Sequence, residues 1–276
     1  MTARRRAESA ARMACWRRGL AAGSGLVDDG RLAGRGLVGE RWMRLLETEL
    51  SGLAENLALD EALLEGVQET GDLFRTWEVH RPAVVLGRAS RRLDEVQEAF
   101  CQTEGIPVVR RCSGGASVVL MRGCLLYSVV LRLEDHPELR IIERAHAFVL
   151  ERIREAIVRL GRPVELAGTS DLVLGGRKFS GNSLRCRKDG VLYHGTLLLE
   201  ASIDLIGRCL KMPPRQPDYR DQRPHEEFLT NLNLSADALD ASLRQAWQCE
   251  GRLEDWPRGE VERLVAERYG QESWNA

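Results

Sequence analysis

The chain has 276 residues, 43% hydrophobic and 29% charged, an ordinary globular balance that excludes a disordered, collagen-like or coiled-coil protein. Forty basic residues stand against 41 acidic ones for a net charge of −1, so no global basic field exists to hold nucleic acid. Apolar runs such as Leu197–Leu199 fall far short of the ~20 residues of a membrane helix, and the expectation is a soluble, cytoplasmic protein.

Charge is unevenly spread. Residues 1–44 hold ten arginines and four acidic residues, a net of +6 that leaves −7 on the remainder. We expect residues 1–40 to be an extension outside the fold: a disordered tail, an Arg-rich and acid-poor organelle import segment, or sequence upstream of the true start. A folded domain is expected over 41–276, beginning near Arg41-Trp42-Met43. The cysteines at 15, 101, 112, 124, 186, 209 and 249 are odd in number and contain no Cys-x-x-Cys pair, which fits reduced thiols better than a disulfide framework or a zinc site.

In chain order, Leu57, Leu63, Leu64 and Val67 recur at helical spacing within 54–68. Strands are predicted at 74–78 and 83–86, joined through His80-Arg81-Pro82, then at 107–111, 117–120 and 125–133. The clearest helix covers 141–160, with Ile142, Ala145, Val149, Ile153, Ala156, Ile157 and Leu160 on one side and Gly161 as its C-terminal stop. Residues 171–199 read as a β-meander turned at Gly175-Gly176 and Asp189-Gly190. A short helix at 205–210, a helix capped by Ser235 carrying Leu239, Leu243 and Trp247, and a last helix at 259–269 complete the chain. Strands arrive mostly as hairpins among helices, so the fold class is α+β, with mixed or antiparallel sheets packed by helices.

Three segments carry chemistry. In Arg110-Arg111-Cys112-Ser113-Gly114-Gly115, glycines let backbone N–H groups face an anion and arginines add positive charge; a plain glycine turn with solvated arginines is the competing reading. Asp171 and Lys178 flank the Gly175-Gly176 turn, where a hairpin would bring carboxylate and ammonium together, as a functional pair or as an exposed salt bridge of little worth. In His194-Gly195-Thr196, a mid-strand glycine implies either a close approach or a bulge beside a satisfied histidine. No P-loop and no Gly-x-Ser-x-Gly elbow occurs.

These motifs, in this order, resemble the lipoate–protein ligase family of the biotin/lipoate attachment superfamily. The matching pieces are Arg110–Ser117, Asp171-Leu172, Lys178-Phe179-Ser180-Gly181-Asn182-Ser183 and His194–Leu199, with Asn56–Ala62 similar to the family's first helix and Phe228–Leu232 to a later landmark. The resemblance covers about 42–275. It implies ATP-dependent attachment of lipoate, by way of lipoyl-adenylate, to a lysine of lipoyl domains such as those of 2-oxoacid dehydrogenase complexes and the glycine cleavage H protein. Lys178 would bind the α-phosphate and acyl oxygen and stabilise charge in both transfer steps. Gly114, Gly115 and Ala116, with Arg110, Arg111 and Ser113, would border the acyl chain and adenylate. Ser180 and Gly181 would adjoin Lys178, and His194, Gly195 and Thr196 would form the floor. Asp171 would help arrange the adenylate, the acceptor lysine or a Mg ion; ATP and Mg enter as substrate and metal, with no tightly bound prosthetic group.

The family's third loop glycine is Ala116 here, followed by Ser117 and Val118, and the His-Asp often found after it is Leu120-Met121. The small accessory domain of many ligases is not expected after the catalytic motifs, so such a chain would need a separate accessory protein, carry out transfer only, or work differently. The runner-up is an ATP-independent octanoyl- or lipoyl-transferase of the same fold working through a cysteine. Neither position that such enzymes use is a cysteine here, leaving Cys112 and Cys186 as thiols near the site. The third reading is a non-catalytic binder of lipoyl domains or fatty acid.

Overall fold

The two nine-residue strands Cys124–Arg132 and Gly190–Leu198 are largely apolar on both faces and need a layer on each side, and the chain supplies both. The computed structural model describes residues 43–48 and 50–276; the Arg-rich segment 1–40 and the expected start at Arg41-Trp42 lie outside the described residues. The strands are β1 (Met43–Leu45), β2 (Leu73–Trp77), β3 (Ala83–Leu86), β4 (Val108–Arg110), β5 (Val118–Leu120), β6 (Cys124–Arg132), β7 (Val164–Ala167), β8 (Asp171–Leu174), β9 (Arg177–Cys186), β10 (Gly190–Leu198) and β11 (Cys249–Arg252). Eight form one sheet in the order β11-β1-β2-β6-β10-β9-β8-β7, and three form a second in the order β4-β3-β5. β1 pairs in parallel with β2 and β11, and β3 with β4; the other pairs are antiparallel. The fold is therefore α+β with mixed sheets, as the hairpin pattern predicts.

The main helices are α1 (Leu53–Glu65), α2 (Ile142–Arg159), α3 (Ile203–Cys209), α4 (Ala236–Ala246) and α5 (Arg258–Leu264). On α2, Ala145, Val149, Ile153, Ala156 and Ile157 are buried as the spacing predicts, whereas Ile142, in the first turn, stays 51% exposed. Ser235 caps α4 as expected, accepting a hydrogen bond from the Ala238 N–H. The expected last helix continues from α5 as a π-helical turn, Val265–Tyr269. The three strands that sequence reasoning missed, β1, β7 and β11, are only three or four residues long and lie at or near the sheet edges, where little alternation can register.

Period-two alternation sorts the large sheet into two faces. Tyr127, Tyr193 and Leu197 point into a core shared with α2 and α4. On the other face Leu126, Leu192 and Trp77 pack with Leu57, Leu63 and Leu64 of α1 and with Val85 and Leu120 of the small sheet. The small sheet and α1 thus roof this second face, and the cavity described next opens between roof and floor. Among the described residues no helix is long and apolar enough to cross a membrane.

Candidate active site

The Gly175-Gly176 turn builds the first part of the site. Both glycines have positive φ, +58° and +74°, the left-handed conformation that joins two antiparallel strands through a two-residue loop. Pairing then runs Val173 with Lys178 but Leu172 with Ser180, so β9 carries one extra residue. That bulge decides which way the lysine points: in an unbroken ladder Lys178 and Gly181 would lie on opposite faces, and with it both share the face of Asp171. Lys178 Nζ lies 2.8 Å from Asp171 Oδ1, while Tyr219 donates its hydroxyl to Asp171 Oδ2 at 2.7 Å. The pair is not an exposed surface bridge, since its side chains are only 25% and 11% accessible. Burial, and then the Asp171 carboxylate, push the Tyr219 hydroxyl far up, so it remains a donor.

The Asp189-Gly190 connection differs from expectation. Gly190 has no positive φ; a Cβ there would sit 2.8 Å from Val67 Cγ1, so the glycine answers packing rather than a left-handed turn.

The second part is the floor. β10 pairs without interruption to β6 and β9 through His194-Gly195-Thr196, so no bulge occurs at Gly195. A Cβ on Gly195 would lie 1.9 Å from Asn182 Oδ1 and 2.8 Å from Tyr127 Cε1. The close approach is that of the protein's own hydrogen bond, Tyr127 Oη to Asn182 Oδ1 at 2.6 Å, from a buried hydroxyl raised well above its ordinary range by desolvation. Gly181, Thr196, Leu126 and Trp77 form one rung across β9, β10, β6 and β2. Three strand spacings make that rung roughly 14 Å long.

His194 is satisfied by a chain of groups. Its Nδ1 lies 2.9 Å from Asp60 Oδ2 and its Nε2 2.5 Å from Ser113 Oγ. With Nδ1–H donated to the carboxylate, Nε2 accepts from the Ser113 hydroxyl, which accepts in turn from Arg111 Nε at 3.1 Å. Asp60 is 1% exposed and also takes Ser128 Oγ at 2.8 Å and Arg75 Nη1 at 3.3 Å. Sequence reasoning missed Asp60 as a site residue. Its signal is an acid on the buried side of α1, three residues after Leu57 and four before Leu64, in a helix that also buries Asn56 and Glu61.

The two arginines divide their work. Arg111 is buried, and desolvation lowers its pKa to about 10. Its guanidinium donates to Val85 O at 3.3 Å, Ala116 O at 3.0 Å and Gly114 O, so it grips the glycine loop from beneath. Arg110 donates to the carbonyls of Gly87 (2.9 Å), Ser90 (2.8 Å) and Trp274 (2.8 Å) and to Ala276 O. It fastens the 87–90 loop and the 274–276 segment and does not line the cavity. In the loop itself the Ser117 N–H and hydroxyl are both taken by Glu95 Oε2 at 2.7 Å, whereas the N–H groups of Gly115 and Ala116 donate to no acceptor among the described residues.

These parts enclose a cavity of about 410 Å³ and an adjoining pocket of about 150 Å³. Leu57, Trp77, Val85, Val118, Leu120 and Leu126 make the apolar part of the main chamber, with Asp60, His194, Gly195 and Tyr127 among its other walls. Lys178, Ala116, Ser117, Val118, Gly181, Thr196, Arg215 and Pro217 line both spaces and form the throat between them. Of the residues singled out from sequence, Arg111, Gly115, Ala116, Asp171, Lys178, Gly181, His194, Gly195 and Thr196 converge on the main chamber. Ser180 reaches only the side pocket, while Arg110, Ser113 and Gly114 stand behind the walls. Among the described residues no cysteine lines either space; burial pushes Cys112 up to about 12, and exposed Cys186 sits at the far end of β9.

Lys178, Ala116 with its unengaged N–H, and Arg215 border this throat, and Gly115, whose N–H is also unengaged, lines the main chamber beside it. Among the described residues no group of three or more His, Cys, Asp or Glu stands together as a metal site, and Asp171, 2.8 Å from Lys178, is a carboxylate of the chamber that could reach a cation carried by a substrate.

Comparison with known proteins follows the same geometry. The model of the lipoyl protein ligase A/B catalytic domain matches residues 53–245. Lipoate–protein ligase 1 of Staphylococcus aureus is 30% identical over 233 residues, 80% of this chain and 69% of that one. Octanoyltransferase LipM of an Exiguobacterium species is 29% identical over 239 residues, 76% of this chain and 81% of its own. Among solved structures, the bi-partite lipoate protein ligase of Thermoplasma acidophilum superposes with a TM-score of 0.74 at 22% identity, over 85% of this chain and 96% of that one. A lipoate-protein ligase A solved with ATP bound gives 0.70 at 22% identity, over 85% and 98%. At that identity the superpositions establish the fold alone.

Proposed function

The chain belongs to the lipoyl protein ligase A/B catalytic-domain family, and from that premise we propose that it activates lipoate with ATP and passes the lipoyl group to a specific lysine of a lipoyl domain. The observation that carries this reading is Lys178. It stands at the throat between an apolar chamber and a second pocket, held 2.8 Å from Asp171, and among the described residues no thiol lines either space.

The apolar chamber would take the acyl chain, whose burial stabilises binding by about 0.8 kcal/mol per methylene. A floor rung of roughly 14 Å accommodates an extended eight-carbon chain from the throat to Trp77. With the tail so placed, the carboxylate would lie against Lys178. In the first half-reaction a carboxylate oxygen attacks the α-phosphorus and pyrophosphate leaves. In the second, the acceptor's uncharged ε-amine attacks the acyl carbon and AMP leaves. Both transition states would gather negative charge on oxygens beside Lys178 Nζ, and Gly115 and Ala116, whose N–H groups have no acceptor among the described residues, line the same chamber. Asp171, fixed by Tyr219, keeps the lysine aimed at the throat. Arg111, Ser113 and His194 would act by positioning: they tie the glycine loop to the floor and to Asp60.

The second reading, octanoyl transfer without ATP, is favoured by the LipM relatives, some of which match as much of the chain as the ligases do. The cysteine it calls for has no counterpart in the cavity walls, and Cys112 is both buried and hard to ionise. The test is intact-mass spectrometry of an apo lipoyl domain incubated with the protein, with lipoate, ATP and magnesium in one reaction and octanoyl-carrier protein without ATP in another. A lipoyl mass gain in the first is the expected result. A gain in the second alone would overturn the ligase reading.

A further inference from the structure

β4 is an edge strand: the small sheet runs β4-β3-β5, and no strand stands against the outer side of β4. Backbone groups on such an edge need other partners. At Arg110 two side chains take the place of the missing strand. The Arg110 N–H donates to Asn275 Oδ1 at 2.8 Å, and Trp274 Nε1–H donates to Arg110 O at 2.9 Å. Both residues belong to a short helix, Glu272–Asn275, and each is anchored in turn. Asn275 Nδ2 donates to Tyr269 O at 3.1 Å, and the Trp274 ring stands edge-on to buried Tyr269, with centroids 6.0 Å apart.

Arg110 passes this anchorage inward. Its guanidinium donates to Trp274 O at 2.8 Å on one side, and to the carbonyls of Gly87 and Ser90 at 2.9 and 2.8 Å on the other. The 87–90 turn lies directly on the glycine loop. The Arg88 N–H donates to Ser113 O at 2.8 Å, Ser90 Oγ donates to Gly115 O at 3.2 Å, and a Cβ on Gly87 would lie 1.8 Å from Gly115 O. At so close a fit, a shift of the turn moves the loop with it. Gly114, Gly115 and Ala116 are exposed and carry nothing larger than a methyl group, so they have no side chain to fix them. Arg111 and Ser183, whose Oγ donates to Gly114 O at 2.8 Å, hold the loop from the floor side, and the turn holds it from outside.

We infer that Trp274 and Asn275 are positioning residues for the main chamber. Through Arg110 and the 87–90 turn they set the height of the 114–116 loop over the floor, and with it the fit of the ligand beneath. That this ligand is an acyl chain rests on the reading above; the coupling of the two segments does not.

The test is calorimetry of lipoate and of octanoate with the full chain and with its Trp274→Phe, Asn275→Ala and double variants. Trp274→Phe keeps a ring against Tyr269 and removes the N–H. Glu272→Ala serves as control, since Glu272 lies on the same helix, is exposed, and has no side-chain hydrogen bond or ion pair among the described residues. Hydrogen exchange is followed at the Arg88 and Ser90 amides, both hydrogen-bonded in the folded chain. In the double variant the dissociation constants should rise about tenfold at unchanged stoichiometry, the scale of one lost hydrogen bond. The two amides should exchange about tenfold faster, with the floor strands β9 and β10 and the control at wild-type values. Reduced stoichiometry at unchanged affinity would show a loss of folded protein only, and would overturn the assignment. So would wild-type affinity in the double variant, or equally faster exchange in the floor strands. A tenfold loss of affinity, beside a wild type that transfers no lipoyl group in the mass assay, would uphold the positioning role and overturn the ATP-dependent reading instead.

Discussion

Gly195→Ala tests the account of the floor most sharply. The new Cβ would stand 1.9 Å from Asn182 Oδ1 and 2.8 Å from Tyr127 Cε1, both inside contact distance. Asn182 has little room to yield, because its Nδ2 donates to Ser170 O at 2.8 Å and its Oδ1 also accepts from Ser180 Oγ at 3.2 Å. Overpacking of a tight interior costs about 1–3 kcal/mol, and a buried hydroxyl left without its acceptor about as much again, so the substitution should cost about 2–6 kcal/mol. Chemical denaturation reads this directly, and the melting midpoint should fall by about 2–4 °C per kcal/mol. Asn182→Ala alone should cost about 1–3 kcal/mol by orphaning Tyr127 Oη. With the Asn182 amide gone, Gly195→Ala should become cheaper by about 1 kcal/mol or more, a coupling typical of residues in contact. A Gly195→Ala variant within about 0.5 kcal/mol of wild type, or one equally costly in both backgrounds, would refute the reasoning.

Lys178→Ala should lower the rate of acyl transfer by about a hundred- to a thousandfold, while the unfolding free energy moves by no more than about 1 kcal/mol because the Asp171 pair is partly open to water; full activity would remove Lys178 from the chemistry. Replacing both Cys112 and Cys186 by serine should leave lipoyl transfer intact in the mass assay, and its abolition would restore a thioester route. Asp60→Ala should destabilise the protein by about 3–5 kcal/mol, measured by urea denaturation, since it leaves the buried Arg75 guanidinium unpaired; a cost under about 1 kcal/mol would contradict the buried network. Glu61 gives a pH signature. Burial pushes its carboxyl up, but hydrogen bonds from Tyr269 and Arg268 outweigh this and hold it below its ordinary value of 4.5. A lowered folded-state pKa contributes stability above pH 4.5 that is lost as the pH falls through the folded value, so Glu61→Gln should flatten the acid limb of the stability curve; an unchanged limb would refute this.

What the sequence determined by itself is whatever depends on neighbours in the chain. The α2 stripe follows from 3.6-residue spacing, and the β8–β9 hairpin from two glycines able to take positive φ. The catalytic-domain motifs were legible for the same reason, as short runs whose local conformation holds them together. Arg110 and Arg111 mark the limit. They are adjacent and chemically identical, yet one fastens the 274–276 segment and the other grips the glycine loop, because successive residues of a strand face opposite ways and only the packed layers say which side holds the cavity. Asp60 met His194, and Tyr127 met Gly195, only when segments up to 134 residues apart closed on one another. The Phe179 bulge is subtler still: no residue type announces it, but it turns Lys178 to the face of Asp171. Tertiary structure decided these points because a side chain's direction is set by the register of a whole ladder, and register is fixed by which apolar faces must be covered.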